Sequence, residues 1–578
     1  MTLSPAMREA LAGADSDRIV YDLAGIADRY DCLVRQLPGV AIRFAMKACP
    51  VDEVIADLTA RGAGCDAASP NEILQALGAG VPVDRIHYGN TSKSDDNIAD
   101  AYRIGVRDFA TDSLQDVTAI AEHAPGSRVF CRLVTTGEGA LWGLSRKFGC
   151  SVADAVLVLE RARELGLVPA GLSVHVGSQQ MRAEAWTAAF TDMGQAIDAL
   201  ERRGIGLQYV NLGGGLPAVG YLDRRGNPLD PPLDEIFAAI RGGMRLLTTM
   251  SSTPLRFLAE PGRYLVADHG AIRAHVQRLS ERELGDGERQ HWLYLSVGKY
   301  NGLYEMDELQ YRLVFPTHEE DGTSASELVP AVVAGPTCDS DDAYVHEDNF
   351  VHVPAALASG DPVWIVSCGA YSTSYTTQGF NGIDPLEYQW IRGPRIRPIA
   401  DDDWESIAEL EFTTYSELGL SEGRAALESR ARRSPGTCFV LELDRKVAGY
   451  AVALPYPSLH YPDLQRPEEE VALMTGDAVG DTAVERVGAN LHLHDLVIAE
   501  GLRGRGLAKL LLRRLESVAV QGRRFATISL VSVGDSEGFW EAAGYRPQRD
   551  LGTPEGYGSQ SVYMSKALEV DPLAACPR

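Results

Sequence analysis

The sequence predicts an α/β protein built from a (β/α)8 barrel, a mainly β domain and a smaller α+β domain. Three observations lead to this prediction. From Val40 to about Ala267, short apolar or β-branched runs alternate with segments of helical period. After Val266 strand-like segments follow one another without long helices, and a Gly-Pro stretch at Ile391 to Pro398 carries a shift in composition. The expected domains are residues 1–267, 268–392 and 393–570, with the first strand region in either the barrel or the β domain.

Eight strand candidates account for the barrel. Amphipathic stretches such as Ser151 to Leu165 and Ala183 to Arg203 separate them and are long enough for the crossover helices of a parallel sheet. Because a closed barrel of this kind has eight strands, we prefer it to an open doubly wound sheet. The candidates are Ile42 to Ala48, Ala63 to Ala67, Ile86 to Gly89, Asp108 to Ala110, Val129 to Val134, Gly171 to Val176, Tyr209 to Leu212 and Arg256 to Ala259.

The later elements are shorter or more mixed. The strands expected in the β domain are Trp292 to Val297, Tyr311 to Phe315, Pro330 to Val333 and Pro362 to Val366. The third unit opens at Ile396 and then reads as helix. It continues with strands at Cys438 to Leu443, Lys446 to Ala453, His492 to Ile498 and Thr527 to Val533, and with helices at Ala508 to Val520 and Glu537 to Ala542.

Composition excludes several classes of protein. The 578 residues are 45% apolar and 23% charged, which is ordinary for a globular chain of several domains. The formal charge of −26 argues against nucleic-acid binding and is compatible with cationic small substrates. The nine cysteines include no CxxC pair and no cluster with zinc-ligand spacing, so we expect neither a disulfide framework nor a metal.

We expect a soluble, cytoplasmic protein with no membrane partner. Residues Met1 to Asp17 lack the basic start and apolar core of a signal peptide. No apolar stretch in the sequence is long enough to span a bilayer.

Polar and glycine-rich residues follow the strands, at the face of a barrel where active sites are built. Lys47 ends the first strand, where its amine could form a Schiff base in a partly desolvated pocket. A glycine run, Gly213 to Gly215, would let backbone N–H groups approach a phosphate. Alone, a lysine at a strand end is more often a surface residue, and a glycine run is often only a turn.

Two further motifs strengthen this interpretation. In the segment Ala259 to Arg263, Glu260 could pair with a pyridinium nitrogen and Arg263 could reach a phosphate. His175 offers an imidazole that could lie against a cofactor ring, and Ser178 offers a hydroxyl for its phosphate. A simple ion pair and local hydrogen bonds are the alternative explanations.

Together these residues resemble the alanine-racemase-like, fold type III pyridoxal phosphate enzymes. The resemblance is specifically to the ornithine/lysine/diaminopimelate/arginine decarboxylase family, over roughly residues 18–390. The matching stretches, in the family's order, are Phe44 to Ala48, Gly64 to Ser69, Lys147 to Gly149, His175 to Ser178, Gly213 to Gly215, Ala259 to Arg263, Gly335 to Asp339 and Gly369 to Tyr371.

The resemblance implies a role for each matching residue. Lys47 would be the Schiff-base lysine, Glu260 the partner of the pyridine nitrogen, and His175 the group that stacks on the ring. Cys338 would protonate the carbanion after carbon dioxide leaves. The residues implied to hold the pyridoxal 5'-phosphate group or to lie close to its ring are Asp66, Arg132, Ser178, Gly213, Gly214, Gly215, Arg263 and Tyr371. In this family Cys338 and Asp339 reach the cofactor of the other subunit, so the resemblance implies a homodimer with two shared sites.

The acidic run after Cys338 bears on the substrate. The carboxylates of Asp339 and Asp342 could bind a distal ammonium group, which favours ornithine or lysine. Diaminopimelate enzymes of the family carry Glu after this cysteine, so Asp339 argues against that substrate. Ornithine decarboxylases have Asp where this chain has Asn301, so ornithine, lysine and arginine all stay open.

A second site is predicted at a basic glycine-rich turn. The turn from Arg503 to Ala508 lies between a strand and a helix, so backbone N–H groups and a helix N-terminus could together hold a pyrophosphate. The unit from about Ile396 to Leu568 resembles the GNAT acetyltransferases, whose [RQ]xxGx[GA] motif is met by Arg503, Gly506 and Ala508. The resemblance implies acetyl-CoA as co-substrate, bound by Leu496, Val497 and Ile498 along the pantetheine and by Arg503, Gly504, Arg505, Gly506 and Ala508 at the pyrophosphate.

Transfer of the acetyl group requires a base for the acceptor amine. His492, His494 and Asp495 are the candidates, and each is also compatible with an ordinary packed strand residue. Many GNAT enzymes use a tyrosine as thiolate acid where this chain has Trp540. Since an indole cannot serve, another group or water must act.

The sequence hypothesis is therefore a bifunctional enzyme. It would decarboxylate L-ornithine or L-lysine and acetylate the diamine to N-acetylputrescine or N-acetylcadaverine, with siderophore or other specialised metabolism as an associated context. Three alternatives stay open: acetylation before decarboxylation, a racemase or non-catalytic cofactor carrier in the barrel, and a CoA-sensing module without transferase activity, motivated by Trp540.

Overall fold

The computed structural model describes residues 3–143, 147–285, 287–318, 327–344, 349–462, 464, 490–520, 525–552, 555–558 and 561–568. The chain divides into two compact units, Met1–Ile391 and Arg392–Arg578. Among the described residues, no helix combines the length and apolar character needed to cross a membrane.

The first unit contains a closed parallel barrel, which confirms the predicted fold class. Its eight strands are β2 (Val40–Ala45), β3 (Gly64–Ala67), β4 (Ile86–Tyr88), β5 (Asp108–Thr111), β6 (Arg128–Arg132), β8 (Val168–Ser173), β10 (Tyr209–Asn211) and β11 (Arg256–Ala259). They follow one another around the barrel in chain order, with β11 closing on β2. Ala110, Phe130, Ala170 and Tyr209, from four neighbouring strands, form a buried cluster. Packed side chains of this kind fill the interior of small barrels.

Helices connect these strands, and side-chain caps fix where several of them begin. The helices of the first unit are α1 (Pro5–Gly13), α2 (Leu23–Gln36), α3 (Asp52–Ala60), α4 (Pro70–Gly78), α5 (Asp95–Ile104), α6 (Leu114–His123), α7 (Val152–Glu164), α8 (Glu184–Glu201), α9 (Leu233–Met250) and α10 (Arg263–Val266). Ser69, Ser94, Ser113 and Ser151 each accept a hydrogen bond from a backbone N–H of the first turn of the helix that follows. A hydroxyl in this position satisfies one of the unpaired donors of the first turn, so the serines determine the helix starts.

A mainly β domain packs beside the barrel within the same unit. Its strands are β1 (Arg18–Asp22), β12 (Gly270–Glu283), β13 (Arg289–Leu295), β14 (Arg312–Val314), β15 (Leu328–Ala334), β16 (Val351–Pro354), β17 (Pro362–Val366) and β18 (Glu387–Ile391). The N-terminal strand β1 pairs antiparallel with β12 and parallel with β18. The sequence analysis named no strand before the barrel, because β1 is short and its partners lie some 250 and 370 residues away along the chain. A small hairpin-like pair, β7 (Ala140–Trp142) and β9 (Ser178–Gln180), was also not predicted.

The second unit is a seven-stranded sheet with helices on both faces. Its elements are β19 (Arg395–Pro398), α11 (Trp404–Tyr415), α12 (Arg424–Arg433), β20 (Cys438–Leu443), β21 (Lys446–Pro455), β22 (Asn490–Ile498), α13 (Leu507–Val520), β23 (Thr527–Ser532), α14 (Glu537–Ala542), β24 (Arg546–Pro547) and β25 (Val562–Ala567). One face packs Leu511 and Leu515 of α13 over the sheet, and the other packs Ile407 of α11 and Leu427 of α12. The α+β character predicted for this unit is confirmed.

Two neighbouring strands of this sheet separate part of the way along their length. Strands β22 and β23 run parallel and pair only from Asn490 to Leu493 on β22. Beyond that point β22 keeps its pairing with β21 on the other side, with a register irregularity at His494. The edge of β22 that faces away from β21 is therefore left without a strand partner from residue 494 onward in the described part of the sheet.

Candidate active sites

The predicted lysine of the first site lies just after strand β2. The strand ends at Ala45, earlier than the sequence predicted, and Lys47 sits in a short 3-10 turn, Met46–Ala48, at the mouth of the barrel. Its side chain is solvent-accessible, and its ammonium makes no hydrogen bond or ion pair with any described residue. Desolvation by the surrounding protein would lower the pKa of Lys47, but the charges of Asp66, Tyr371 and Glu260 outweigh it and raise the pKa. The amine is therefore protonated at neutral pH and directed toward an open site.

Two carboxylates, from β3 and from the residue after β11, lie beside a histidine. His87 Nε2 lies 3.2 Å from Asp66 Oδ1 and 2.9 Å from Glu260 Oε1, and Asn211 Nδ2 donates to the same Glu260 oxygen at 2.5 Å. Burial alone would lower the pKa of His87, but its bonds to Asp66 and Glu260 raise the pKa to about 10. Burial alone would raise the pKa of Asp66, but His87, Lys47 and Arg132 hold it below its usual value. The cluster thus holds ionised Asp66 against a protonated imidazole.

The same three side chains are close enough to share a metal ion. A protonated imidazole has no lone pair to offer a metal, and metal binding would require the loss of that proton. We therefore assign no metal to the cluster.

The predicted ring-facing histidine is neutral. His175 follows β8, and its Nδ1 accepts a hydrogen bond from the Gly177 N–H at 3.1 Å. Burial, followed by the positive charges of Arg132 and Lys47, places the pKa of His175 well below its ordinary value. Arg132 itself lies at the end of β6, with its guanidinium 5.0 Å from the centre of the Phe148 ring. Both residues thus lie at the barrel mouth.

The glycine run after β10 forms a cradle that only glycine can build. Gly213 and Gly215 have φ values of +64° and +112°. A Cβ on Gly213 would lie 1.8 Å from the Val174 carbonyl oxygen, and a Cβ on Gly215 would lie 2.7 Å from a Val176 methyl group. The N–H groups of Gly214 and Gly215 donate to no acceptor in the described part of the chain. Free N–H groups on an unobstructed backbone are what an anionic group such as phosphate binds.

Arg263, at the start of α10, lies beside the cradle and is almost fully buried. It donates to Ser178 Oγ at 3.1 Å and 3.3 Å and packs against the rings of Trp142 and Tyr371, 4.3 Å and 4.7 Å from their centres. The structure thus brings together Ser178, Arg263 and Tyr371, three of the residues implied to bind phosphate. The residues around Lys47 and the free N–H groups fit pyridoxal phosphate, since they offer an amine, an anion cradle and a carboxylate.

The sequence analysis missed three residues of this site. Glu305 holds Arg263 in a bidentate ion pair at 2.5 Å and 2.6 Å, Asn211 holds Glu260, and His87 joins the two carboxylates. His87 lies within the predicted strand Ile86 to Gly89. A histidine in the middle of a strand that fills a barrel was the signal that could have pointed to it.

The implied proton donor lies away from this cluster. Cys338 is exposed on the loop between β15 and β16, and its Sγ contacts the Asn381 side chain at 3.2 Å and 3.4 Å. Asp339 next to it is partly exposed and accepts from the Asp341 N–H at 2.9 Å. No hydrogen bond or ion pair joins either residue to Lys47 or Glu260 within the described residues.

Two residues expected to contact substrate are instead used by the protein itself. Asp342 is buried, and its oxygens accept from the Lys299 N–H at 2.7 Å and from the Thr337 hydroxyl at 2.6 Å. Asn301 is also buried, accepting from the Gly298 N–H at 2.8 Å and donating to the Ser296 carbonyl at 3.2 Å. These bonds commit their polar atoms to ordering loops of the β domain, and the substrate role expected for both stays a prediction.

The second unit has a candidate site where strands β22 and β23 separate. Leu496, Val497 and Ile498 lie on the part of β22 that has lost β23 as a partner, so one backbone edge is open to an extended ligand. Arg503 Nε donates to the Ile498 carbonyl at 3.1 Å, which fixes the start of the following turn. The motif from Arg503 to Ala508 therefore lies at the end of the open edge of β22.

The basic turn presents a row of unpaired backbone donors. Gly504 and Gly506 have φ values of +80° and +78°, and the N–H groups of residues 504–508 donate to no acceptor in the described part of the unit. Helix α13 begins at Leu507 and includes Ala508, so the positive end of the helix dipole points to the same place. The side chain of Arg505 adds positive charge at this turn. The arrangement suits a pyrophosphate.

A cavity beside β22 is lined by ionisable side chains, including Glu422, His492, His494 and Asp495. Burial lowers the pKa of His492 to about 3, and burial with nearby Arg430 lowers the pKa of His494 well below its ordinary value. Burial raises the pKa of Asp495 to about 6 and that of Glu422 to about 7. Of the three predicted bases, only Asp495 has a pKa near neutrality, while His492 Nδ1 is already bonded to Ser529 Oγ at 2.9 Å.

Trp540 belongs to the core of this unit. It is 8% exposed and packs against Phe539 and Tyr545, with ring centres 4.8 Å and 5.6 Å apart. The residue that replaces the usual tyrosine is thus a packing residue.

Comparison with known proteins finds a match for each of the two units. Residues 23–267 match the family model described as pyridoxal-dependent decarboxylase, pyridoxal binding domain, and residues 404–545 match the acetyltransferase (GNAT) family. Ornithine decarboxylase of Schizosaccharomyces pombe is 29% identical over 393 residues, 66% of this chain and 85% of the relative. Lysine/ornithine decarboxylase of Selenomonas ruminantium is 27% identical over 364 residues, 63% of this chain and 86% of the relative.

Solved structures of decarboxylases are similar to about two thirds of the chain. Lysine/ornithine decarboxylase from Vibrio vulnificus, complexed with putrescine, superimposes with a TM-score of 0.57 at 28% identity, covering 68% of this chain and 99% of that chain. A mutant of SrLDC in complex with PLP superimposes with a TM-score of 0.59 at 26% identity. The match covers 68% of this chain and 96% of that chain.

The barrel, its lysine and its anion cradle define a pyridoxal phosphate-dependent enzyme of fold type III. The chain therefore combines a pyridoxal-dependent decarboxylase domain, similar to those of ornithine and lysine decarboxylases, with a GNAT acetyltransferase domain.

Proposed function

We propose that this enzyme decarboxylates L-ornithine or L-lysine in its barrel unit and then acetylates the resulting diamine with acetyl-CoA in its GNAT unit. The observation that carries the proposal is the pairing of two sites on one chain. The second site has an open backbone edge and a free donor turn beside a cavity lined by carboxylates, which suits a cationic amine.

The barrel residues have distinct tasks in the first reaction. When bound, pyridoxal phosphate supplies an electron sink for the pair left behind by carbon dioxide. Lys47 would hold the cofactor covalently and yield it to the substrate amine, and Glu260 would keep the ring nitrogen protonated. His175, neutral and flat, would lie against the ring. The cofactor phosphate would be held by Ser178, Gly213, Gly214, Gly215, Arg263 and Tyr371.

We also propose a homodimer with shared sites. Cys338 would return the proton to the carbon that loses carbon dioxide, yet its contacts in the chain are with Asn381 and not with the barrel mouth. An exposed loop that carries the thiol and Asp339 suits insertion into the site of a second subunit. Asp339 would bind the distal ammonium group of the substrate.

The substrate is proposed from the relatives and from charge. Structures of the Vibrio vulnificus enzyme are described as complexed with putrescine and with cadaverine, the diamines that correspond to ornithine and lysine. Both share 28% identity with this chain. Ornithine and lysine are therefore preferred to arginine.

In the second reaction, Asp495 would act as the base. Its carboxylate would take a proton from the acceptor ammonium, and the freed amine nitrogen would attack the thioester carbonyl carbon of acetyl-CoA. The carbon–sulfur bond then breaks, and the departing thiolate takes a proton from water, since Trp540 has none to give. The hydroxide left behind takes the second proton of the nitrogen to give the neutral amide, and Asp495 returns its proton to solvent. Consecutive reactions on one chain support a role in siderophore or other specialised metabolism, which we propose as the context.

Separate assays of the two reactions test the proposal. Ornithine, lysine and arginine are each incubated with the PLP-loaded protein, and carbon dioxide release is measured; we expect release from ornithine or lysine. Putrescine and cadaverine are then incubated with acetyl-CoA, and we expect mono-acetylated diamine.

Two results would overturn the acetylation step. If only the amino acid is acetylated, the order is reversed. If no amine is acetylated but acetyl-CoA changes the rate of decarboxylation, the GNAT unit is a sensor.

A further inference from the structure

His87 lies in the middle of β4 and is 2% exposed. The interior of such a barrel is ordinarily filled by branched apolar side chains, and His87 does contact the Phe130 ring, with ring centres 5.2 Å apart. Unlike those neighbours, it places a nitrogen between two carboxylates. This position calls for an explanation, because a buried polar group is costly unless its partners are well placed.

One nitrogen serves both carboxylates. His87 Nε2 is 3.2 Å from Asp66 Oδ1, to which it is hydrogen-bonded, and 2.9 Å from Glu260 Oε1, with which it forms an ion pair. The donor atoms of the three side chains lie within 4.8 Å of one another. Two carboxylates at this distance repel each other, and a cation between them offsets the repulsion.

Further polar groups surround the cluster of His87, Asp66 and Glu260. The other charged or polar groups that face this cluster are Lys47, Arg132, Asn211 and His175. Asn211 fixes Glu260 Oε1 from one side and His87 fixes the same oxygen from the other, which leaves Oε2 without a protein partner among the described residues. Glu260 Oε1 is therefore held by two side chains, and Oε2 is available to a ligand.

We propose that His87 is a positioning residue of the decarboxylase, which ties Glu260 to Asp66 and so orients the free Glu260 oxygen toward the cofactor ring nitrogen. This inference rests on the proposed function, in which Glu260 pairs with that nitrogen. His87 touches neither substrate nor cofactor and acts only through Glu260.

The test compares His87→Leu, which removes the hydrogen bond, with His87→Gln, whose amide can still donate to a carboxylate. For His87→Leu we expect kcat of decarboxylation to fall about 10- to 100-fold, as is usual when a residue that orients a catalytic group is lost. The KM for the amino acid should change less than about twofold, because His87 does not contact substrate. His87→Gln should recover most of the lost kcat. His275→Leu, which removes a histidine paired with Asp17 in the β domain, is the matched control and should leave kcat unchanged.

A spectroscopic measurement distinguishes a positioning role of His87 from a purely structural role. The absorption spectrum of the bound cofactor is recorded across pH, since it reports the protonation of the ring system that Glu260 controls. We expect His87→Leu to shift this titration in the same direction as Glu260→Gln, and His275→Leu to leave it unchanged. Loss of kcat with an unshifted titration would mean a structural role and would overturn the proposal. If His87→Leu does not fold, the comparison is made with His87→Gln, and a His87→Gln protein that folds but recovers neither kcat nor the titration would also overturn it.

A double-variant cycle distinguishes this inference from the proposed function beneath it. In the Glu260→Gln background, His87→Leu should cost little further kcat, because its effect runs through Glu260. Full additivity would overturn the inference alone. If Glu260→Gln by itself leaves kcat and the spectrum unchanged, the role of Glu260 in the proposed function fails as well.

Discussion

At the scale of single residues, the two sites use the same side chain in opposite states. Asp66 stands among His87, Lys47 and Arg132, which hold its pKa below the usual value despite burial. Asp495 is buried beside Glu411, and its pKa rises to about 6 although Arg430 opposes the shift. The first carboxylate therefore stays ionised at any physiological pH, whereas the second titrates just below neutrality and can exchange a proton.

The titration of Asp495 predicts a pH dependence for acetyl transfer. The folded-state pKa is raised, so the carboxylate is charged above about pH 6 and protonated below it. Only the charged form can accept a proton, so kcat/KM for the diamine should fall about tenfold per pH unit below that value.

The variant Asp495→Asn should lower kcat of acetyl transfer by roughly 10²- to 10⁴-fold at neutral pH, because a general base usually contributes a rate factor of this size. Asp550→Asn, at an exposed position of the same unit, is the control and should behave as wild type. An Asp495→Asn enzyme with unchanged kcat and an unchanged acid limb would show that another group is the base.

Some contacts of single residues could not be predicted from the sequence. The motif residues Lys47, Glu260 and Arg263 could be named from local patterns. The contacts of His87 and Glu305 could not, because their partners lie on strands and loops far away in the chain, and only the closed barrel brings them together.

At the scale of elements, both sites depend on loops whose backbone only glycine can adopt. Gly213 and Gly215 shape the turn after β10, and Gly504 and Gly506 shape the turn before α13. Each turn leaves N–H groups unpaired and facing an anion position. If these turns bind the two phosphate-bearing ligands as proposed, we expect affinity to depend on backbone conformation as much as on basic side chains.

Gly213→Ala should weaken retention of pyridoxal phosphate by at least about tenfold, since the new Cβ would meet the Val174 carbonyl oxygen at 1.8 Å and a non-glycine residue is strained at this φ. The dissociation constant is measured by the absorbance of bound cofactor after dialysis. Gly78→Ala, at the end of α4 where an added Cβ meets nothing within 4 Å, should leave the constant unchanged. Equal retention by the two variants would contradict the cradle.

Gly506→Ala tests the second turn in the same way. At a φ of +78° an alanine is strained, so the turn should shift and the KM for acetyl-CoA should rise about tenfold, with decarboxylation untouched. Gly436→Ala provides a control at a glycine of the same unit without positive φ. If the KM for acetyl-CoA does not move, the turn does not bind the pyrophosphate.

Most helices and strands could be predicted from local sequence patterns, but the residues at which they begin and end could not. The eight barrel strands carry β-branched or apolar runs that are visible in the sequence, and serine caps mark the helices between them. Strand ends depend on pairing with neighbours, which is why β2 stops at Ala45, before Lys47. Strand β1 was missed because its stability comes from β12 and β18, which are remote in the sequence.

At the scale of the whole molecule, the dimer is proposed because the contacts of Cys338 among the described residues are with Asn381 and not with Lys47. If each site takes its lysine from one subunit and its thiol from the other, two inactive variants can complement each other. Lys47→Ala and Cys338→Ala are mixed in equal amounts and allowed to exchange subunits, and decarboxylation is measured. Half of the dimers should then be mixed, each with one intact site of two, which predicts about a quarter of wild-type activity. No recovery from a mixture shown to contain mixed dimers would contradict shared sites.

The central claim is that one chain converts a basic amino acid into an acetylated diamine. The most direct measurement incubates the PLP-loaded protein with isotopically labelled ornithine or lysine and acetyl-labelled acetyl-CoA, and identifies the products by mass spectrometry. We expect a mono-acetylated diamine that carries both labels and has lost the carboxyl carbon. An acetylated amino acid that retains its carboxyl carbon, a free diamine with no acetylated product, or no loss of carbon dioxide would each contradict it.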